Sequence, residues 1–87
     1  MSGTYKNNQE YFEAVEAFCI ELSKSNQKSA SECIHEGLSC VNGLTDGWWQ
    51  FLNSLEKVKV NHSQSFTLEQ TTIFDSLVAA AQDAVSL

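Results

Sequence analysis

An all-α fold, and within that class a small up-down four-helix bundle, is predicted by three observations. Proline is absent and there are only four glycines in 87 residues, so little in the composition interrupts helices. Apolar residues recur at helical spacing in four separate segments, with no strand-like alternation bounded by turn clusters. Polar linkers of roughly three to six residues join the segments, short enough to make successive helices antiparallel neighbours. A bundle closed only by dimerisation is the structural alternative.

The first helix is expected over about residues 8–25. Asn7 followed three residues later by Glu10 has capping-box spacing. Tyr11, Val15, Phe18 and Leu22 then fall at i, i+4, i+7 and i+11, with Phe12 and Cys19 beside them. Glu13, Glu16 and Lys24 lie opposite. Ile20 lies opposite as well, and the stripe does not account for it.

Residues 25–29 read as a linker, and Ser29 with Glu32 makes a second capping box. The second helix is expected over about 30–42. Ala30, Cys33, Ile34, Gly37, Leu38 and Val41 share one face; Glu32, His35, Glu36, Ser39 and Asn42 share the other. Gly37 on the inner face costs about 1 kcal/mol relative to alanine. Close approach of another helix, against one of the tryptophans, is the expected return. Asn42-Gly43 is read as a helix C-cap with Gly43 left-handed.

The third helix, about 46–58, is the segment on which the others are expected to close. Asp46 is its expected N-cap. Trp48, Phe51, Leu52, Leu55 and Val58 form the stripe, and Trp48 and Phe51 are expected at the centre of so small a core. Lys59 falls within the apolar arc, so the helix is expected to end near Val58. Two apolar residues fall off the stripe: Trp49, about 100° round from Trp48, and Val60.

After a polar loop at 61–65, Thr67 with Gln70 makes a third capping box, and the fourth helix is expected over about 67–85. Its apolar face is Ile73, Phe74, Leu77, Val78, Ala81, Ala84 and Val85. Alanines at 79, 80, 81 and 84 permit tight packing. The whole chain reads as one helical domain. A domain this small buries about 60% of the surface its unfolded chain exposes.

Charge bounds the partners. Five lysines and no arginine stand against eleven acids, a net charge of −6. Nucleic-acid binding needs cations to displace counterions from phosphates, and these are few and scattered. Anionic membranes are disfavoured for the same reason, and the longest purely apolar run, Leu77–Ala81, is far too short to span one. A basic protein partner suits the charge. Three cysteines without tight spacing do not make a disulfide framework, and MSGTYKNNQE lacks the apolar core of a secretion signal. A cytoplasmic location with reduced thiols is the expectation; the glycosylation pattern at Asn61-His62-Ser63 is then incidental.

No stretch spells a catalytic or cofactor motif. Cys33, His35 and Cys40 invite a zinc reading, but on one helix the two cysteines are about 10.5 Å apart along the axis. Their sulfurs cannot both reach one zinc at about 2.3 Å, and His35 points the other way. Cys–His catalysis needs thiol and imidazole within hydrogen-bond reach; only a tertiary contact of Cys19 with His62 would supply one. Glu13 with Glu16, and Glu32 with Glu36, have the spacing of paired carboxylates, for which a solvated helix face is the commoner reading. Four scattered glycines build no phosphate loop. No cofactor, no metal and no enzymatic activity are therefore expected.

The off-stripe apolar residues are the signal that remains. Trp49 is either flanking core, since a bundle helix has two neighbours, or a binding residue of the kind enriched at hot spots. Val60 lies on nearly the same angular line, and Ile20 is ringed by Glu13, Glu16 and Lys24. The functional expectation is a small acidic interaction module, of inhibitor, immunity or adaptor character, that binds another protein through an apolar patch ringed by acids. Trp49, Val60, Ile20, Glu13 and Glu16 are its candidate binding residues. The alternative is a homodimeric assembly protein in which Trp49 and the alanine-rich face of the fourth helix complete a shared core.

Overall fold

A computed structural model describes residues 7–41 and 45–85 of the chain. Its elements are α1 (Asn8–Lys24), α2 (Lys28–Leu38), α3 (Thr45–His62), a single 3-10 turn (Ser63–Ser65) and α4 (Leu68–Val85). Each helix packs on the next, and α1 also meets α4. That closes the ring of a small up-down bundle measuring 33 × 22 × 19 Å.

α1 forms as its pattern predicts. The Asn7 side chain accepts from the Glu10 backbone N–H at 2.8 Å, and Tyr11, Val15, Phe18, Cys19 and Leu22 are buried. The helix ends in a left-handed turn: Asn26 has φ 63°, and the Gln27 N–H reaches back to the Leu22 carbonyl at 2.8 Å. This is the six-to-one bond of a Schellman ending, and asparagine is among the few residues that tolerate the left-handed region.

That turn reverses the chain quickly, so α2 begins at Lys28 and not at Ala30. Gln27 is its N-cap, with no side-chain cap bond. The Ser29–Glu32 spacing therefore lies inside the first turn and is not a capping box. At the other end the regular helix stops at Leu38, short of residue 42. Cys40 and Val41 bond instead to the Gly37 and Leu38 carbonyls at 3.1 and 3.0 Å, a tightened last turn. The expected cap at Asn42-Gly43 lies outside the described residues.

Gly37 does allow close approach, but to Ser54 and Phe51 and not to a tryptophan. A Cβ at position 37 would fall 2.5 Å from Ser54 Cβ. Gly47, near the start of α3, does the same for the end of α2: a Cβ there would stand 3.0 Å from Val41 Cα.

α3 starts at Thr45, which puts Asp46 in the helix and not at its N-cap, and continues to His62 in place of Val58. Val58 is the last fully buried residue; Lys59, Val60 and Asn61 are exposed. The final turn extends past the core, so it asks no burial of Lys59. The core's largest enclosed side chains are Tyr11, Phe51 and Phe74. Trp48 is partly buried and not central. It stacks on Phe12 at 5.8 Å and contacts Tyr11 and Phe51 at 5.7 and 6.3 Å, covering one end of the core.

A second aromatic cluster of Phe18, Phe66 and Phe74 has centroids 5.4–6.1 Å apart. It pins the α3–α4 connection. At the start of α4 the reciprocal capping box predicted for Thr67 and Gln70 is present, with bonds of 3.1 and 3.0 Å. The same Gln70 oxygen accepts from Gln27 Nε2 at 3.1 Å, and its nitrogen donates to Ser25 Oγ at 3.2 Å. The α1–α2 turn is thereby tied to the α4 N-terminus. α4 turns Gln70, Phe74, Leu77, Ala80 and Ala81 inward, and Ile73, expected on the apolar face, is 38% exposed. The Tyr11 hydroxyl donates to the Leu77 carbonyl at 2.7 Å, satisfying a buried polar group across the α1–α4 seam.

Candidate interaction surfaces

The sequence-predicted binding residues lie on two helices, α1 and α3. Ile20, Trp49 and Val60 are 57%, 49% and 74% exposed. Trp49 and Val60 share one line of α3, since eleven residues bring the helix round to within about 20°. They are also about 16 Å apart along the axis, and Asn53 and Glu56 stand exposed on the same line between them. Val60 lines a shallow depression with Asn53, Glu56, Lys57 and Asn61. Trp49 is at the other end of the helix. Its neighbour Trp48 turns inward to the aromatic cluster, so the two adjacent indoles are divided between core and surface.

Ile20 belongs to a different place. It lines a cleft between α1 and α2 of about 480 Å³, with Glu16, Cys19, Ser23, Lys24, Ser31 and His35. Glu16 and Ile20 line this cleft together, and Trp49 is not part of its lining. Glu13 is exposed on α1, where it accepts from Gln9 at 3.5 Å. Of the five residues, Trp49 and Val60 lie on α3, and Ile20, Glu13 and Glu16 lie on α1.

The α1–α2 cleft holds Cys19, Ser31 and His35. Ser31 is buried; its hydroxyl donates to the Cys19 carbonyl at 2.8 Å and accepts from Ser23 at 3.1 Å. Burial pushes the Cys19 thiol up to about 11, the Ser31 hydroxyl pulls it the other way, and Glu16 adds to the rise. A thiol held neutral is a poor nucleophile. Cys19 and His62 line different depressions, His62 lying with Asn26, Lys28 and Ser65. Cys33 and Cys40 are free, and their sulfurs face the carbonyls of Ser54 and Glu36 at 3.8 Å. Among the described residues no three His, Cys, Asp or Glu side chains are grouped to hold a metal ion. No helix among them is long and apolar enough to cross a membrane.

Sequence periodicity did not mark one further surface. Between α1 and α4 lies a groove of about 380 Å³ with Phe18 in its floor, Ala14, Ala17 and Ile73 along its walls, and Glu21 and Glu69 at its rim. The signal available in the sequence was small side chains at 14 and 17 beside a helix whose Ile73 was assigned to the core. Comparison with known proteins returns no matching family model, no similar curated protein and no similar solved structure.

Proposed function

We propose that this chain is a non-enzymatic interaction module that binds another protein, with Trp49 as its principal anchor. The supporting observation is that Trp49 keeps half of its surface exposed while the two aromatic clusters and the aliphatic core close without it. An exposed indole is costly to leave in water and a common hot spot when covered. The net charge of −6 favours a basic partner, since complementary charge speeds encounter and excludes acidic competitors. It disfavours nucleic acid and anionic lipid.

The homodimer reading has less support. It relies on Trp49 together with the alanine-rich face of α4, and on that face Ala80 and Ala81 are already fully buried within one chain.

Affinity capture from the native source tests the proposal, with the wild-type chain and Trp49→Ala compared side by side. The wild type is expected to retain a partner that Trp49→Ala loses while its helical content is unchanged. Identical captured sets would contradict the anchor role.

A further inference from the structure

The α1–α4 groove differs from the other depressions in charge. The α1–α2 cleft contains Lys24 and His35, the α2–α3 groove Lys57, and the depression beside the α1–α2 turn Lys28 and His62. The α1–α4 groove has Glu21 and Glu69 and no cation. Because α1 and α4 run antiparallel, both carboxylates stand at the same end. Ala14, Ala17, Phe18 and Ile73 make one end of it apolar, and Thr67 and Gln70 lie with the two glutamates at the other. A guest helix packs at an interaxial distance of about 8–10 Å, and alanines at 14 and 17 leave that room. Ile73 stands exposed beside them. From Ala14 to Glu21 the groove runs about 10 Å, or two helical turns.

We infer that this groove docks a short amphipathic helix of a basic partner protein. The guest lays an apolar stripe at i, i+3, i+4 and i+7 over Phe18 and Ile73. Its lysines or arginines gather at the end nearest the start of α4, opposite Glu21 and Glu69. A second copy of this chain does not fit. Two concave faces leave a void between them, and pairing doubles the net charge of −6. The inference rests on the interaction-module reading and names a surface separate from Trp49.

The test uses the full chain, isotopically labelled, and a synthetic peptide of about 15 residues, long enough to sustain helix, with leucines at helical spacing and lysines elsewhere. A second peptide replaces every lysine by glutamate. The lysine peptide is expected to bind, with amide shifts concentrated on residues 14–21 and 69–73, and the glutamate peptide is not. Ala17→Arg, which fills the groove from an exposed position, and Glu69→Lys are each expected to weaken binding about tenfold or more. Asp75→Lys, the same charge change about 160° round α4 from Ile73, leaves affinity unchanged. Circular dichroism of each variant checks that the bundle persists. No binding, equal binding of the two peptides, shifts centred elsewhere, or unaltered affinity in Ala17→Arg would each overturn the inference. If the groove fails these tests while Trp49-dependent capture persists, the groove alone falls. If the native chain captures nothing, the broader reading falls.

Discussion

Cys19 lies where the core meets the α1–α2 cleft, and its burial has two measurable consequences. The thiol is held neutral well beyond its ordinary range, so at pH 8 it should be alkylated more slowly than Cys33 and Cys40, which are partly exposed. Folding stability should also respond to pH in a defined direction. The folded chain keeps the Cys19 proton after the unfolded chain releases it, so the contribution is full below pH 9.0 and falls as pH rises towards about 11. The slope is at most about 1.4 kcal/mol per pH unit. Urea unfolding of the wild type and Cys19→Ala across that window should show their difference shrinking; a flat difference contradicts the account. Cys19 was readable as core because it sits beside a regular stripe. Ser31 and Gln70 were not, because the groups that satisfy them come from other segments. Ser31 bonds to Cys19 and Ser23, and Gln70 to Ser25 and Gln27. Trp49 stayed undecided in the sequence because angular position alone does not say where a neighbouring helix will lie.

At the scale of the helices, local signals were reliable where the bonds that answer them are local. Asn7 and Thr67 cap the next N–H groups as their spacing predicts. Ser29 has the same spacing and caps nothing, because Asn26 reverses the chain and α2 has already begun at Lys28. Thr67→Ala should therefore cost about 1 kcal/mol, while Ser29→Ala should change stability by less than about 0.5 kcal/mol. Equilibrium unfolding of the two variants decides this, and equal losses would restore Ser29 as a cap. The later ends of α2 and α3 were misjudged for a tertiary reason. α2 tightens where Cys40 and Val41 press on Gly47, and α3 passes beyond the core layers, where Lys59 meets water. The inward rotation of α4, which buries Ala80 and exposes Ile73, likewise depends on α1 and on the Tyr11–Leu77 bond.

For the molecule as a whole, fold class and helix order were legible because four apolar stripes and short linkers allow few arrangements. The surfaces were not, because exposure depends on how widely each pair of helices is spaced. That spacing opens the groove over Phe18. The central claim is that the bundle closes without the ring of residue 49. Its most direct test is the unfolding free energy of Trp49→Ala set beside that of Phe51→Ala. We predict a loss of no more than about 1 kcal/mol for Trp49→Ala, against about 3–5 kcal/mol for Phe51→Ala. A Trp49→Ala loss as large as that of Phe51→Ala would place the indole in the core and contradict the account.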